Sequence, residues 1–489
     1  MAFYGRLYGG VSAHGADASR GARSRAASWT GAGVERAFSG QVPLPEIPTI
    51  VVVKIAPIGD FEVAVSAEKV MLGFEPAQAP YTGAGEPEWV RERRDSAQAQ
   101  LGKVPFPRTS EEIWRYSRVE ELEEKGFSLG QAAPTLEAVA DPPAGGLPGG
   151  LVAEATCLIR VRPGTSRAFI GASSPVTFMP ASQAPASPRE IEPGSDFFRL
   201  FAEAYSPDLY VLRVPAGADG GTIVVAYEQP DEDVSFMPQL MVEVGEAARL
   251  KLVEYLAPGA DRTFIAPCAE IRAGKDAHVG HYQIQALTGG AYASAFVSHT
   301  LGERAKLDFG SFAFGGHYAR LRLEAHLAGE GARAELRAAY FADGDQMLDF
   351  RTHQDHHSPG AYSNLLFKGA VGGTSHSVYS GLVTIEEGAV RSDAFQTNRN
   401  LVLSDGARAD SVPNLDIREN SVRCSHASAV GPIDEELLFY LESRGIDPAD
   451  AERIVVRGFF GEVLEGIDLP EVVGLVQSMV DARLGALAE

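Results

Sequence analysis

Cysteine is scarce in this chain of 489 residues. Its three cysteines, Cys157, Cys268 and Cys424, lie far apart and form no CxxC pair. Neither a disulfide framework nor a zinc ribbon can be built at such spacing. A reducing compartment therefore fits best, and we expect a cytoplasmic protein.

Long apolar runs and positive charge are also lacking. No apolar run approaches the roughly 18 to 20 residues that a membrane-spanning helix needs. The formal net charge is −22, and binding to phosphate backbones depends largely on Lys and Arg. We therefore expect neither a membrane nor a nucleic acid as partner. Hydrophobic residues make up 45% and charged residues 22% of the chain, as is ordinary for a globular protein.

Several common catalytic motifs are missing. The sequence contains no GxxxxGK[ST], so ATP would have to be bound by a partner subunit and not by this chain. HExxH and GxSxG are absent as well, which removes frequent signatures of zinc peptidases and serine hydrolases. These absences favour a protein that is not an enzyme.

The first residues differ in charge from the rest. Residues 1–45 contain five arginines and two acidic residues, about +3 in total, which leaves about −25 for the remainder. We expect residues 1–70 to be a disordered or wrongly assigned extension. An organelle transit peptide is the alternative, because such peptides are rich in Arg and Ser and poor in acids.

Residues 71–150 are predicted to form a helical region followed by a linker. A helix should begin after the turn-forming residues Gly83–Pro87. A second helix is predicted by a capping box in which Thr109 and Glu112 satisfy the first amides. Residues 134–150 are rich in Pro, Gly and Ala, which predicts a loop and a boundary near residue 150.

Residues 151–430 show short β-type runs and a repeat. Its anchoring residues are Ala248, Ala277, Ala305, Ala332, Ala361, Ala389 and Ala407, separated by 29, 28, 27, 29, 28 and 18 residues. A nearly constant period predicts stacked coils with parallel strands and a small Ala at one corner. Asn398 and Asn400 should then point inward and bond to adjacent coils. Unrelated β-hairpins with shared turn chemistry are the alternative.

Residues 431–489 are predicted to form a helical domain. Asp434 precedes the first helix and Gly445 ends it, Asp447 caps the second, and Pro470 opens the third. These residues match the preferences of helix caps and first turns. We expect this end of the chain both to cap the solenoid and to offer a surface to a partner.

Histidines offer one weak metal signal. His353, His356 and His357 lie within five residues, but on a strand His356 would point away from the other two. A solvated or packing role is therefore favoured over metal binding. His278 and His281 would fall on opposite faces of a strand, which favours structural roles.

Cys424 and His426 form a sharper pair. Positions two apart on a strand project from the same face, so a thiol and an imidazole would be presented together where the β-region ends. Such ligands suit iron or an iron–sulfur species. Two ligands cannot complete a cluster that needs four, so a second subunit would supply the others. A buried cysteine beside a hydrogen-bonded histidine is the competing interpretation.

Cys424 and His426 lie within a longer segment that resembles a known protein family. The run Gly388–Ile446, with its SDAFQTNRNL, ADSVPNLDI, CSH and DEELLFYLESRGI elements, closely resembles the SufD family of iron–sulfur cluster assembly proteins. FKG at Phe367–Gly369 and EEIWRYS at Glu111–Ser117 are also similar to the family. The resemblance extends over roughly residues 86–468.

The resemblance implies a mainly β fold, namely a right-handed parallel β-helix over residues 151–430 with helical N-terminal and C-terminal regions. It implies pairing with a SufB-like subunit and, through residues 431–489, binding of a SufC-like ABC ATPase. A transient cluster would form at the joint between the two β-helices, with Cys424 and His426 at the interface and His426 as a possible cluster ligand. We expect the ATPase to contact Phe439, Tyr440, Ile454 and Phe459.

Two other functions compete with the scaffold. A SufB-type subunit would hold a cluster by itself. A parallel β-helix enzyme acting on polysaccharide would need carboxylates along one groove, and Asp393, Asp410 and Asp416 form only a loose set. Each of these functions predicts an activity or a bound cluster in the isolated chain.

Overall fold

The computed structural model describes residues 86–129, 134–184, 196–229 and 232–487. These residues belong to one compact unit that spans Val65–Glu489. The predicted extension at residues 1–70 lies outside the described residues. None of the helices in the described ranges combines the length and the apolar character needed to span a membrane.

Helices are confined to the two ends of the described chain and to one insertion. They are α1 (Glu88–Leu101), α2 (Val119–Lys125), α3 (Gly149–Glu154), α4 (Phe197–Tyr205), α5 (Glu435–Glu442), α6 (Pro448–Leu464) and α7 (Pro470–Leu487).

Strands fill most of the chain between them. The shorter early strands are β1 (Ser128–Leu129), β2 (Thr135–Ala138), β3 (Cys157–Arg162), β4 (Thr165–Ile170), β5 (Thr177–Pro180), β6 (Leu209–Val214), β7 (Asp219–Tyr227), β8 (Val234–Phe236), β9 (Gln239–Val244), β10 (Arg249–Leu256), β11 (Phe264–Ile265) and β12 (Cys268–Ala273). The later strands are β13 (His278–Ala286), β14 (Tyr292–Leu301), β15 (Lys306–Phe314), β16 (Tyr318–Leu327), β17 (Arg333–Ala342), β18 (Met347–His356), β19 (Tyr362–Val371), β20 (His376–Ile385), β21 (Asp393–Val402), β22 (Arg408–Ile417) and β23 (Arg423–Gly431).

From β6 onward the chain winds between two sheets and adds a strand to each on every turn. Sheet A runs in the order β5, β6, β9, β12, β14, β16, β18, β20 and β22, with β1, β8 and β11 attached. Sheet B runs in the order β2, β4, β3, β7, β10, β13, β15, β17, β19, β21 and β23. The coil strands pair in parallel, whereas β3–β4 and β5–β6 are antiparallel. The prediction of a parallel β-solenoid with helical regions at both ends is confirmed.

The anchoring alanines occupy one repeated corner. Ala248, Ala277, Ala305, Ala332, Ala361 and Ala389 are essentially inaccessible to solvent, and each follows a residue with positive φ. In five of these corners the alanine N–H donates to the carbonyl three residues earlier at 3.1–3.2 Å. A larger side chain would collide with the coil stacked on either side. Ala407 instead precedes β22 of sheet A, which explains its shorter spacing.

Polar ladders cross the interior between coils. The Tyr340 hydroxyl donates to Asn400 Oδ1 at 2.7 Å, and Asn398 Nδ2 donates to Tyr340 at 3.0 Å. Asn400 Nδ2 donates to Asn398 Oδ1 at 2.9 Å. The predicted inward orientation of both asparagines is therefore confirmed. A Cβ on Gly369 would lie only 2.0 Å from the Tyr340 ring, so this position requires glycine.

Helical layers cover the outer faces of both sheets. Helices α6 and α7 pack on sheet B through a cluster that includes Val456, Phe460 and Val476. The N-terminal segments and α4 pack on sheet A, where Trp114 and Phe198 meet the outward residues of its strands. The C-terminal helices thus lie alongside the solenoid. The expectation that they cap its last coil is wrong, because their apolar stripe is buried against a sheet face.

Three predictions of local secondary structure are wrong, and in each case tertiary contacts favour another conformation. The predicted capping-box helix is only a 3₁₀ turn at Glu112–Trp114, because the Thr109 hydroxyl donates to Glu120 instead. Helix α4 interrupts the stretch expected to be β, since its nearly wholly buried sequence is needed against sheet A. Part of the predicted linker at 134–150 forms β2, which joins sheet B.

Replacing an anchoring alanine should destabilise the solenoid in proportion to how closely its corner is enclosed. We expect Ala332→Leu to lower the free energy of unfolding by about 1–3 kcal/mol through overpacking. Ala407→Leu is the matched control, because Ala407 is only half-buried, and it should cost less than about 0.5 kcal/mol. Urea unfolding followed by circular dichroism measures both, and equal losses would contradict the stacked-corner account.

Candidate functional site at the open end of the solenoid

Among the residues that the structure describes, no strand pairs with the outer side of the last coil. Strands β22 and β23 each end their sheet in the described chain. Asn400 on β21 is 3% exposed, whereas Val430, in register with it on β23, is 45% exposed. In the other sheet Val383 is fully buried and its register partner Leu415 is 36% exposed. Rows that form the interior of earlier coils are therefore open to solvent at this end.

Cys424 and His426 lie on this open row. They are in register with Ala394 and Gln396 of β21, both buried in the interior. Cys424 is half-buried beside the small apolar cluster of the last coils, whereas His426 is exposed. The thiol and the imidazole are therefore presented on one face of an edge strand, with the imidazole accessible from outside.

The other two cysteines are enclosed. Cys157 and Cys268 are buried, and Cys157 Sγ donates to Ser174 Oγ at 3.3 Å. Burial raises the pKa of the Cys268 thiol well above its ordinary value, which suppresses the thiolate that binds metals. Among the three, Cys424 is the thiol best placed for chemistry with a partner.

The carboxylates of Asp393, Asp410 and Asp416 near this end are paired with basic side chains. Asp393 accepts from Arg423 Nε at 2.7 Å, and Asp416 accepts from Arg418 at 2.6 Å. Asp410 accepts from His376 at 2.7 Å and from Arg408 at 2.9 Å. Asp393 lies on sheet B and the other two lie on sheet A. This arrangement offers no pair of free carboxylates for general acid–base work on a polysaccharide.

The C-terminal helices expose an apolar patch formed by Phe439, Tyr440 and Ile454. Phe439 is 72% exposed, Tyr440 54% and Ile454 47%, and α5 contains no buried residue. Large apolar side chains exposed on neighbouring helices are often found at binding surfaces. Phe459 differs from the other three candidates, because it is half-buried and packs against the core of its own chain.

Lys368 fastens helix α6 to sheet B. It is 3% exposed and donates to the Phe459 carbonyl oxygen at 2.9 Å. Its ammonium also forms an ion pair with Glu462 and lies 4.6 Å from the centre of the Phe459 ring. The FKG segment therefore joins the solenoid to the helices that carry the exposed patch.

The histidines separate as their strand positions predict. His356 points inward, with Nε2 2.7 Å from Ser363 Oγ, and burial lowers its pKa to about 4. His353 lies on the outer face, 2.9 Å from Thr384 Oγ1. His278 faces outward to Asp308, whereas His281 is enclosed in the interior.

Sequence reasoning missed one cluster around His357. The structure brings His326 and Asp355 to it. These two residues are 29 apart and lie side by side on β16 and β18. The 28-residue period could have found the pair, because a spacing of one coil places two residues in adjacent strands.

Part of the solenoid is similar to a known protein family. Residues 227–459 match the family model described as SUF system FeS cluster assembly, SufBD core domain. This match spans β7 to α6 and includes the open end of the solenoid.

Curated relatives agree with the family model. An iron–sulfur cluster assembly SufBD family protein of Mycobacterium tuberculosis is 41% identical over 249 residues, which cover 49% of this chain and 55% of the relative. The iron–sulfur cluster assembly protein SufD of Escherichia coli is 29% identical over 245 residues, 50% of this chain and 57% of the relative. Protein ABCI7, chloroplastic, of Arabidopsis thaliana is 28% identical over 274 residues, 53% of this chain and 57% of the relative.

The match over residues 227–459 places this part of the chain in similarity to the SufBD core domain, and the resemblance to SufD is confirmed. The matched region spans a little over half the length of these relatives.

Removing the Lys368 ammonium should loosen helix α6. We expect Lys368→Met to lower the free energy of unfolding by about 1–3 kcal/mol, because the Phe459 carbonyl and Glu462 lose their buried partner. Hydrogen exchange measured by mass spectrometry should accelerate in α6. Lys251→Met is the matched control, since Lys251 binds the Asp468 carbonyl at 2.7 Å but its side chain is 38% exposed. An unchanged exchange rate in Lys368→Met would contradict the fastening role.

Proposed function

We propose that this chain is a non-catalytic scaffold subunit in iron–sulfur cluster assembly. It pairs through its open last coil with a SufB-like solenoid and carries a SufC-like ATPase on its C-terminal helices. The observation that supports this most directly is the exposed inner row of β23, which presents Cys424 and His426 together. The match of residues 227–459 to the SufBD core domain supports iron–sulfur chemistry at this row.

Backbone pairing supports an end-to-end partner. Strands β22 and β23 contain 10 and 9 residues, and the outer edge of each has free N–H and C=O groups among the described strands. Long strand edges with unpaired backbone groups pair readily with another strand. A second solenoid would continue both sheets and bury Leu415 and Val430. A chain of the same architecture supplies a matching pair of edges.

The donor set fits an iron–sulfur species as cargo. A thiolate is a soft ligand and an imidazole is a common iron ligand. Because the chain offers two such groups at this face, a cluster would take its remaining ligands from the partner. His426 is the better placed of the two, since it is exposed and Cys424 is half-buried.

The apolar patch on α5 and α6 supports a separate partner on the side of the solenoid. Phe439, Tyr440 and Ile454 form no part of the chain's own core clusters among the described residues. Aromatic residues are frequent anchors at protein interfaces. The contact through Lys368 then gives a mechanical path from this patch to sheet B, by which motion of an ATPase would reach the last coil.

The location that we propose is the cytoplasm. The three cysteines are free in the structure, which agrees with a reducing compartment. The chloroplastic relative from Arabidopsis thaliana has a location of its own, which we do not transfer to this chain.

Removing His426 should lower cluster formation without dissolving the complex. We expect His426→Ala, co-expressed with the SufB-like and SufC-like subunits, to co-purify normally and to hold several-fold less iron and sulfide, because a ligand at the joint is lost. His278→Ala is the control, since His278 is a partly exposed histidine elsewhere on sheet B, with its side chain 43% accessible. Unchanged iron and sulfide in His426→Ala would remove it from the site. A stable cluster on the isolated parent chain would favour the SufB-type role.

Truncating the exposed patch should weaken ATPase binding. We expect Phe439→Ala and Tyr440→Ala each to reduce affinity for the SufC-like subunit by about 30-fold or more, as for anchor residues worth at least about 2 kcal/mol. Surface plasmon resonance with the purified subunits measures this. Ile113→Ala is the control, because Ile113 is 43% exposed in the N-terminal segment that packs on sheet A. Equal affinities for all variants would place the ATPase elsewhere.

A further inference from the structure

A second group of metal-ligand side chains lies away from the open end, on the outer face of sheet A. It consists of His326, Asp355 and His357, with one donor atom from each lying within 4.8 Å of the others. Asp355 Oδ2 is 3.0 Å from His326 Nδ1 and 2.7 Å from His357 Nε2. No step proposed above uses these three side chains.

The solenoid itself fixes two of the three ligands. His326 on β16 and Asp355 on β18 are in register across a parallel pair, so adjacent coils hold their side chains side by side. His357 follows the last residue of β18 and turns back to Asp355. The arrangement is therefore built on rigid strands, which favours a preformed site.

The spacing of the donor atoms suits a divalent cation. Ligand atoms about 2.1 Å from a metal ion lie about 3 Å apart in neighbouring octahedral positions. The two distances to Asp355 are close to that value. Two imidazoles and one carboxylate on one side of an ion leave the other positions open for water or a ligand.

A carboxylate behind His326 gives an independent indication. Ligating histidines usually direct their second ring nitrogen to a carboxylate, which fixes the ring. His326 Nε2 lies 3.4 Å from Glu324 Oε2, on the side of the ring opposite Nδ1, and Glu324 is held by Arg322 at 2.7 Å. His353 is directed to Thr384 instead, so it stands outside the ligand set.

The solvent exposure of the three candidate ligands also suits a metal site. The side chains of His326 and Asp355 are 13% and 10% exposed, whereas that of His357 is 46% exposed. Two ligands are therefore held in place by packing, and the third faces solvent where an ion can enter.

We propose that His326 Nδ1, Asp355 Oδ2 and His357 Nε2 bind one divalent first-row transition metal ion, such as Fe²⁺, Co²⁺ or Zn²⁺. The site lies in sheet A two coils before its last strand, and its ligands are nitrogen and oxygen without sulfur. It does not depend on the role proposed for Cys424 and His426.

Titration of the chelator-treated full chain with Co²⁺ tests the proposal, with visible absorption and calorimetry as readouts. We expect one site per chain that persists in the double variant Cys424→Ser, His426→Ala and shows no thiolate-to-cobalt charge-transfer band. His357→Asn and Asp355→Asn should each weaken binding by about tenfold or more. His278→Asn is the matched control, because His278 and Asp308 form a similar pair at 2.8 Å without a second histidine, and it should bind as the parent does.

Two results would overturn the metal site. One is Co²⁺ affinity in His357→Asn and Asp355→Asn equal to that of the parent, which would make the cluster an ion-pair network only. The other is loss of binding in the Cys424, His426 double variant, which would assign the ion to the open end. Circular dichroism without metal checks that His357→Asn is folded. His357→Asn is the decisive variant, because His357 is exposed and its replacement should disturb the fold least.

Discussion

Each coil of this solenoid buries its inner row only because another coil is stacked against it. The parallel register repeats from β6 to β23, and the closed corners at the anchoring alanines keep the coils the same length. Because no coil can complete its own interior, a stack of any length leaves an unfinished end. The C-terminal helices, as far as the structure describes them, do not cover that end. The unfinished coil therefore leaves an open strand edge, and a thiol and an imidazole are presented on it.

The two helical layers divide the remaining surface. The N-terminal segments and α4 cover much of sheet A, whereas α6 and α7 cover much of sheet B. Each layer uses a few buried charges to fix its position. Arg320 lies 3.6 Å from the centre of the Trp114 ring and donates to Asp349 at 2.7 Å, and Lys368 binds α6. The large apolar side chains of Phe439, Tyr440 and Ile454 on α5 and α6 remain exposed on the C-terminal side.

Functional groups in this fold follow the coil period. A residue and its equivalent one coil later stand in adjacent strands, so side chains about 28 residues apart become neighbours. Tyr340 meets Asn398 and Asn400 from two coils away, and His326 meets Asp355 from the next coil. Inside the stack, the side chains of Tyr340, Asn398 and Asn400 are hydrogen-bonded to one another. Outside it, the same geometry collects ligands that no short sequence motif reveals.

The sequence by itself determined the repeat, the parallel solenoid, the caps of the C-terminal helices and the common face of Cys424 and His426. All of these depend on local spacing or on a period along the chain, which the order of residues records directly. Only the tertiary structure decided that the C-terminal helices lie along sheet B and leave the last coil open, that Thr109 bonds to Glu120 in place of a helix cap, and that His326 joins Asp355 and His357. These outcomes depend on contacts between residues that are far apart in the sequence. For the helices, burial of an apolar stripe against a distant strand outweighs the local conformational preference of the residues.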